Sequence, residues 1–484
     1  MCVIDMVRFW ARAASDRSAI IQSEMVITYR GLADAIDSIA ERIERLDLDR
    51  NGPVALSIAN PSYMLATAFA LLQAGYDVAS VSPTLFPYLR GAGIQNLISD
   101  SQGQVTSGGR NIRFDMSWLP NDAANTTDSR HRKQDFDFGD MIFFTSGTTG
   151  LPKKITQTGT ALQQLLKYSF TCASGIYQKI LILPSLASTF GFNRACEVLN
   201  AGKTACFAQN TDAALSLTEN FGIELIVASA AQALALADLK KRNPAYQLNS
   251  LKAVLIGGGK ISAERIADIR EVLCRNCLSQ YGSTEGGVVA LAPFEAIAAI
   301  SGAVGFILPW AELEIVDEDG RVLPPGLEGS IRYRTPQLMQ NLTAPESVDM
   351  PGVKDQWFYP GDAGSLTADG VLCLAGRISD VINRGGVKVS GAKIEKILEE
   401  LPGIAEVAAC GVIGASGMEE IWVAVVADCP PVDIGKIKLR LSEHAEVKVA
   451  PDEVFVLDKL PRGELGKVQK HLLREVMLSR KRGA

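Results

Sequence analysis

A run of hydroxyl-bearing residues and glycines follows a short apolar segment in the first third of the chain. Met141 to Phe144 predict a buried strand, and the residues that follow it are Thr145, Ser146, Gly147, Thr148, Thr149 and Gly150. Glycine lets a backbone approach a ligand closely, while hydroxyl and backbone N–H groups can donate hydrogen bonds to anionic oxygens. Lys153 adds a positive charge. These residues favour a phosphate-binding loop whose spacing is not that of a Walker loop; the alternative is a polar surface loop that binds nothing.

A second set of candidate residues lies near the middle of the chain, where Tyr281, Gly282, Ser283, Thr284 and Glu285 follow an apolar run. An aromatic ring can stack on adenine, a glycine keeps the backbone close, and a carboxylate can bind a hard cation. Another apolar run ends in a glycine triplet, Gly257, Gly258 and Gly259. Taken alone, both sequences are equally compatible with ordinary turns after strands.

Charged residues that could bind a ligand or take part in catalysis recur in the last third of the chain. Asp362 ends the sequence Tyr-Pro-Gly-Asp, and Arg377 follows Gly376. A carboxylate can accept hydrogen bonds from both hydroxyls of a ribose, and a guanidinium can reach ribose or phosphate. Lys467 ends the sequence Leu-Pro-Arg-Gly-Glu-Leu-Gly-Lys. The alternative for Asp362 and Arg377 is a surface ion pair, and the alternative for Lys467 is a solvated surface lysine.

In this order along the chain, the four groups resemble the signature sequences of the adenylate-forming superfamily. It comprises acyl- and aryl-CoA synthetases, luciferases and the adenylation domains of peptide synthetases. The first group reads TSGTTGLPK and the second YGSTE. The resemblance extends over essentially the whole chain, from residue 145 to residue 467 for the motifs themselves.

The resemblance implies a reaction in two steps. ATP and a small carboxylic acid give an acyl-adenylate and pyrophosphate with Mg²⁺, and the acyl group then passes to the thiol of CoA. It implies that ATP is bound by Thr145 to Gly150, Lys153, Gly257 to Gly259, Tyr281 to Ser283, Asp362 and Arg377. Lys467, Thr284 and Glu285 would be catalytic, with Glu285 also holding the metal. Lys467 would bridge the substrate carboxylate and the α-phosphate, where a cation stabilises the transition state more than the separated anions.

For the second step, the resemblance implies that a small C-terminal domain swings about a hinge at Ser379. This motion would remove Lys467 and bring Gly385 and Gly386 to a tunnel that admits the thiol. The predicted acyl pocket favours a small-to-medium or aromatic acid, and its residues are Phe190, Phe192, Asn193, Ser229 and Val288. Core packing is the alternative for the two phenylalanines. Arg194 could hold a second carboxylate or form a structural salt bridge.

Three positions depart from the superfamily pattern. No histidine follows Pro184, Lys154 stands where glycine is usual, and Ser379 replaces aspartate or lysine at the hinge. A carrier-protein phosphopantetheine could replace CoA, because the same tunnel would serve either thiol. A nucleotide-binding protein without catalysis is the alternative from another class. An amino-acid adenylating domain is disfavoured, because no aspartate follows Pro184 to hold an amine.

The elements that must position these residues follow an α/β pattern. Thr28 caps a predicted helix from Tyr29 to near Leu46, and predicted strands alternate with helices after it. Each later apolar run ends in one of the candidate sequences, as expected if ligands bind beyond the carboxyl ends of parallel strands. We predict a large N-terminal AMP-binding domain of parallel α/β sheets over residues 1–376, with a β-rich subdomain at about 302–376. A small mobile α+β lid domain is predicted over residues 377–484.

The composition of the chain disfavours several other classes of protein function. The chain has 484 residues and a net charge of −6, which gives no general attraction to nucleic acid. No apolar segment reaches the length of a membrane span, and nine cysteines without metal-site spacing favour buried thiols and a cytoplasmic location. Three histidines and no GxSxG sequence disfavour hydrolase triads. Gly202-Lys-Thr204 imitates the end of a Walker loop, but Glu197 occupies the first glycine position.

Overall fold

The structure is a computed structural model of the chain. It describes residues 2–23, 25–101, 109–120, 138–146, 152–169, 176–259, 261, 263–342, 352–384, 387–414, 419–428, 432–444, 447, 449–463 and 466–483. The predicted positions Gly147 to Gly150, Gly385 and Gly386 lie outside these residues.

The α-helices within the described residues are numbered in chain order. They are α1 (Val3–Ala13), α2 (Tyr29–Glu44), α3 (Pro61–Gln73), α4 (Gly159–Ser169), α5 (Thr189–Asn200), α6 (Thr211–Phe221), α7 (Ala230–Arg242), α8 (Ala263–Val272), α9 (Phe294–Ile297), α10 (Pro336–Leu342), α11 (Gly391–Glu399), α12 (Ile434–Glu443) and α13 (Lys470–Gly483). Short 3₁₀ turns occupy Pro83–Tyr88, Met116–Trp118 and Ile378–Asp380.

The strands are numbered in the same way. The first half of the chain contains β1 (Ser18–Gln22), β2 (Met25–Thr28), β3 (Val54–Ser57), β4 (Val78–Ser80), β5 (Asn96–Ser99), β6 (Arg110–Arg113), β7 (Met141–Ser146), β8 (Pro152–Gln157), β9 (Lys179–Ile182), β10 (Thr204–Phe207) and β11 (Leu225–Ser229). The second half contains β12 (Ala253–Gly257), β13 (Cys277–Ser283), β14 (Gly287–Pro293), β15 (Ala303–Ile307), β16 (Glu312–Val316), β17 (Gly329–Arg334), β18 (Val353–Lys354), β19 (Trp357–Phe358), β20 (Asp362–Leu366), β21 (Val371–Arg377), β22 (Val381–Arg384), β23 (Val387–Ser390), β24 (Ile404–Ile413), β25 (Glu419–Ala427) and β26 (Glu453–Val456).

The first sheet has six strands in the order β6-β5-β3-β4-β7-β8. Its pairs from β6 to β7 are parallel, and β8 runs antiparallel to β7. Helices α2 and α3 supply apolar faces of the adjoining core. The predicted cap of α2 is confirmed, because Thr28 Oγ1 accepts a hydrogen bond from Gly31 N at 3.1 Å.

The second sheet has fifteen strands and two halves of different character. Strands β1, β10, β9, β11, β12 and β13 pair in parallel in that order, whereas the pairs from β13 onward to β14, β15, β21 and β20 are antiparallel. The antiparallel strands of the β-rich region therefore continue the large sheet. The change of direction occurs at β13 and β14, and the residues that follow β13 are among the candidates.

A shared core joins the two sheets. Phe192 on α5 is 0% exposed, and its ring lies 6.3 Å from that of Phe69 on α3 and 5.9 Å from that of Phe143 on β7. The loss of one such side chain typically costs about 3–5 kcal/mol. The core consequently fixes α5 and β7 against each other, and both elements carry candidate residues.

The last hundred residues build separate sheets. Strands β22 and β23 form a hairpin, while β24, β25 and β26 form a three-stranded sheet. Apolar residues of α11 and α12 form one cluster with these strands, and residues of α13 form another. Contacts with the preceding part of the chain include an ion pair from Lys393 on α11 to Glu328, 3.8 Å long.

Two local sequence signals have different outcomes. The sequence around Cys274 and Cys277 favours a helix, but this expectation is wrong, because α8 ends at Val272 and Cys277 begins β13. The sequence Gly202-Lys-Thr204 favours a turn, and Gly202 lies in a turn after α5. Over the described ranges, every helix falls short of the length and apolarity needed to cross a membrane.

Candidate active site

Strands β7 and β8 flank the predicted phosphate loop. Strand β7 pairs antiparallel with β8, so that Thr145 lies opposite Lys153. The side chains of Thr145 and Ser146 lie outside the described residues. Lys153 Nζ is 3.7 Å from Glu285 Oε1. This pair of strands therefore brings the first candidate group to the second, although 132 residues separate Lys153 from Glu285 in the sequence (285 minus 153).

The residues from Tyr281 to Glu285 lie at the end of β13, where the chain turns back into β14. A Cβ atom on Gly282 would lie 2.2 Å from the carbonyl oxygen of Gly287, so the tight return requires glycine there. Ser283 Oγ accepts a hydrogen bond from the Tyr333 hydroxyl at 2.7 Å and another from Gly286 N at 3.1 Å. These contacts fix the backbone that carries Thr284 and Glu285.

Thr284 connects this turn to helix α5. The Thr189 hydroxyl donates a hydrogen bond to Thr284 Oγ1 at 3.2 Å. Thr189 is the first residue of α5, and Ser188 caps the helix by accepting from Gly191 N. The beginning of α5 is thereby placed beside the second candidate group.

Asp362 and Arg377 face each other across the pair β20–β21. Arg377 Nε lies 2.9 Å from Asp362 Oδ1, and the Tyr281 hydroxyl donates to Asp362 Oδ2 at 2.5 Å. Arg377 also donates to the carbonyl oxygen of Pro360. Burial and the neighbouring Asp362 carboxylate raise the pKa of Tyr281. Tyr281 therefore remains a neutral donor, and the second and third candidate groups meet in one network.

Lys467 lies on a tight turn after β26. Gly463 N donates to the carbonyl oxygen of Lys467 at 2.9 Å, and Arg462 Nη1 donates to that of Gly466 at 2.6 Å. Gly466 has φ of +75°, and a Cβ atom there would lie 2.4 Å from Cβ of Ala231 on α7. Glycine thus allows this C-terminal turn to lie directly on the first turn of α7.

The charges around Lys467 come from the other candidate groups. The pKa of Lys467 is lowered mainly by desolvation from surrounding protein atoms and to a smaller extent by repulsion from Arg377. The residue as a whole is nevertheless exposed. Attraction from Asp362 and Glu285 opposes this shift. The ammonium group is therefore within electrostatic range of both carboxylates and has no ordinary ion-pair partner among the described residues.

The glycine triplet lies at the end of β12, beside residues of the predicted acyl pocket. Gly257 ends β12 and pairs with Ser229 at the end of β11. The Phe190 ring lies 3.1 Å from the position that a Cβ atom of Gly257 would take. The triplet therefore leaves room for Phe190. Val288, on β14, pairs with Gly282 on the neighbouring strand β13.

The predicted pocket lining needs two corrections. Phe192 is fully buried in the core that joins the two sheets, so core packing, the alternative left open by the sequence, is what the structure adopts. The Ser229 side chain is also buried, because its hydroxyl caps α7 by accepting from Gln232 N at 3.3 Å. Phe190, Asn193 and Val288 remain partly exposed.

The hinge position and a cluster that sequence reasoning missed lie next to each other. Ser379 is exposed in the 3₁₀ turn that follows β21. The next residue, Asp380, lies 2.8 Å from Lys470 Nζ, which is also 2.9 Å from Glu395 Oε1. The proximity of Lys470 to Lys467 was the available signal, but the carboxylates that pair with it are distant in sequence.

The residues present fit a magnesium ion that is bound mainly through substrate. The described residues include no group of three acidic, histidine or cysteine side chains suited to a metal. Glu285 offers one carboxylate, 13% exposed, and the Lys153 ammonium group lies beside it. Mg²⁺ commonly takes one or two protein carboxylates and completes its shell with phosphate oxygens and water.

Comparison with known proteins gives a consistent family. The sequence model described as AMP-binding enzyme matches residues 7–342. Indoleacetate–CoA ligase from Aromatoleum aromaticum is 29% identical over 500 aligned residues, covering 95% of both chains. 2-Succinylbenzoate–CoA ligase from Bacillus subtilis is 25% identical, covering 96% of both chains.

A solved structure agrees in fold. The o-succinylbenzoate CoA synthetase of Bacillus subtilis, in complex with its acyl-adenylate intermediate, superposes with a TM-score of 0.81 at 22% identity and covers 97% of both chains. The family match extends over more than half of the chain, and the relatives are similar over nearly all of it. The chain belongs to the AMP-binding enzyme family, within the adenylate-forming superfamily.

Proposed function

We propose that this protein is an AMP-forming acid–thiol ligase that activates a small-molecule carboxylic acid with ATP and transfers the acyl group to CoA. Full-length similarity to two CoA ligases supports this assignment. The observation that carries it is the position of the Lys467 turn, which lies on α7 within electrostatic range of Asp362 and Glu285. A cation delivered there by the C-terminal segment is suited to join two anionic substrates.

In the first step, the carboxylate attacks the α-phosphate of ATP, the bond to the β-phosphate oxygen breaks, and pyrophosphate leaves. Lys153 and the predicted phosphate-loop residues Thr145 to Gly150 hold the departing phosphates, while Asp362 accepts hydrogen bonds from the ribose hydroxyls. Lys467 lies between the two anions, and Tyr281 stacks on the adenine. Glu285 would hold Mg²⁺, which would supply neutralisation of the phosphate charge.

In the second step, the CoA thiol attacks the acyl carbonyl, AMP leaves, and the thiol proton passes to solvent. Lys467 must withdraw to give the thiol access, so we propose that residues 377–484 move as a lid about Ser379 relative to residues 1–376. Gly385 and Gly386 would then line the thiol tunnel. The tight approach of Gly466 to Ala231 suits the first step, because it holds Lys467 at the candidate site.

The reducing cytoplasm is the proposed location of this chemistry. The cysteines among the described residues are all free thiols, and burial raises the pKa of Cys206 and of Cys277 to about 12. These thiols are therefore neutral and unreactive at physiological pH.

The proposal is tested by incubating the protein with ATP, Mg²⁺ and a panel of carboxylic acids, with CoA or with a phosphopantetheinylated carrier protein. We expect pyrophosphate release with at least one acid and an acyl-CoA product detected by mass spectrometry. Acylation of the carrier protein alone would show that the carrier, and not CoA, is the acyl acceptor. ATP binding without pyrophosphate release from any acid would favour a nucleotide-binding protein without catalysis.

A further inference from the structure

The first two turns of α5 present a polar group beyond the Phe190 ring. Phe190, Asn193, Arg194 and Glu197 follow the spacing i, i+3, i+4 and i+7, which places them on one helix face. The contact of Phe190 with Gly257 places this face over the end of β12. We use the name acyl crevice for the predicted acyl pocket, where this face of α5 meets the ends of β12 and β13.

Arg194 is already neutralised by a neighbour on its own helix. Its Nη1 lies 2.6 Å from Glu197 Oε2, and its Nη2 donates to Gln280 Oε1 on β13 at 2.9 Å. The Arg194 and Glu197 side chains are 9% and 6% exposed. A second carboxylate on the substrate would therefore meet a pair of zero net charge, which cannot offset the loss of hydration of that carboxylate. The structure adopts the salt-bridge alternative for Arg194.

Three buried polar atoms of this group have no hydrogen-bond partner in the described part of the chain. Glu197 Oε2 is ion-paired with Arg194, whereas Arg194 Nε, a donor, and Asn193 Oδ1, an acceptor, remain without a partner. A buried polar atom that is left without a partner destabilises its surroundings. A hydroxyl group both donates and accepts, so a hydroxyl on the substrate has the chemistry to pair with each of these two atoms.

The length of the crevice limits where this hydroxyl lies on the substrate. Thr189 contacts Thr284 at the reacting end, and Asn193 follows four residues later. At a rise of 1.5 Å per residue this separation is about 6 Å along the helix. About the same distance separates a carboxyl group from a hydroxyl on the opposite side of one aromatic ring, and Phe190 offers an apolar wall between them.

We propose that the acid activated by this enzyme is a monocarboxylic acid with a single ring and a hydroxyl group at its far end, which pairs with Asn193 and Arg194. The inference rests on the proposed function, because it assigns the acid to that reaction. It also excludes dicarboxylic acids as preferred substrates.

The test compares matched acids by kcat/KM for pyrophosphate release. The pairs are 4-hydroxybenzoate with benzoate and 4-hydroxyphenylacetate with phenylacetate, with terephthalate as the dicarboxylate. We expect the hydroxylated acid to be favoured about 10- to 100-fold in the better pair, and terephthalate to be poorer than benzoate. Equal values within both pairs, or a preference for terephthalate, would overturn the inference while leaving the ligase function intact.

Variants separate a specific contact from a general effect of polarity. Asn193→Leu should reduce the ratio between hydroxylated and parent acid to below about threefold, whatever its effect on the absolute rate. Asn243→Leu makes the same chemical change at an exposed residue after α7 and should keep the wild-type ratio. An unchanged ratio in Asn193→Leu would refute the assignment of the hydroxyl to this position.

If the protein turns over none of these five acids while another acid releases pyrophosphate, the ligase function stands and the inference is overturned. If no acid is turned over, the binding inference is tested separately. Non-reactive acyl-sulfamoyl adenosines made from each matched pair bind without catalysis, and calorimetry measures their affinities. The hydroxylated member should bind at least tenfold more tightly to the wild type. Equal affinities would overturn the inference by this independent route.

Discussion

Two lysines only three residues apart have opposite environments. Lys467 is exposed and faces charges of both signs, contributed by the turn after β13 and by β20 and β21. Its pKa is lowered, mainly by desolvation. Lys470 is partly buried between Asp380 and Glu395, and the attraction of these carboxylates outweighs desolvation and raises its pKa. One lysine has charge available for a ligand, whereas the other has its charge fully matched by protein.

The difference bears on the proposed motion of the C-terminal segment. Lys470 ties the start of α13 to Asp380, the residue after the proposed hinge, and to α11. The Lys467 turn, in contrast, contacts α7 across the boundary at residue 377 through Gly466 and Ala231. We infer that Lys470 acts as a positioning residue, so that Lys467 moves with the hinge segment as one body.

The largest expected effect is on the unmatched lysine. Lys467→Ala should lower the rate of adenylate formation by about 10²–10³-fold, equivalent to about 2–4 kcal/mol, because a charge that acts mainly in the transition state is lost. ATP affinity, measured by calorimetry, should change little. Lys459→Ala, at an exposed residue nearby, is the control and should keep the wild-type rate. Equal rates in the two variants would show that the charge of Lys467 has no special role in adenylate formation.

The matched lysine should show the reverse pattern. Lys470→Met leaves two carboxylates facing each other without a cation, so we expect the free energy of unfolding to fall by about 1–3 kcal/mol. Chemical denaturation measures this loss, with Lys438→Met at an exposed position as the control. Adenylate formation should decline less than in Lys467→Ala. A variant as stable as the control would show that Lys470 does not anchor the segment.

The pH dependence sharpens the comparison further. Lys467 acts when protonated and its pKa lies below the ordinary 10.5, so kcat/KM for adenylation should fall as the pH rises through that lowered value. The raised pKa of Lys470 means that its stabilising contribution is fully present below 10.5 and is lost only above it. Activity should therefore be lost at a lower pH than this part of the stability, as pH profiles of rate and melting temperature can establish. Coincident profiles would contradict the distinction.

The smallest effect concerns a neutral member of the site. Tyr281→Phe keeps the aromatic ring but removes the hydrogen bond to Asp362, and a net loss of about 1 kcal/mol corresponds to roughly fivefold. We expect KM for ATP to rise by this factor while the rate at saturating ATP is nearly unchanged. A fall in the saturated rate without a change in KM would instead place Tyr281 in the chemical step.

The sequence predicted the elements whose signals are local. The cap at Thr28, the strand that begins at Met141 and the strands that end beside the glycine triplet and Tyr281 are confirmed. The antiparallel return through β8 was not foreseen, because a Lys-Lys-Ile-Thr-Gln sequence carries only a weak strand pattern.

Non-local pairing explains most of what sequence reasoning missed. The partners of Lys470 are 90 and 75 residues away (470 minus 380 and 470 minus 395), and Arg194 reaches Gln280 on another strand. Burial of Phe192 depended on a core shared between two sheets. Each of these contacts is set by tertiary packing, which local periodicity does not encode.

The central claim is that Lys467 serves the adenylation step from its position on the C-terminal segment and leaves before thiol attack. The most direct measurement is a comparison of the two half-reactions in Lys467→Ala: adenylate formation from acid and ATP, and thioester formation from supplied acyl-adenylate and CoA. The account predicts a fall of about 10²–10³-fold in the first and a nearly unchanged rate in the second. Equal losses in both half-reactions would contradict it.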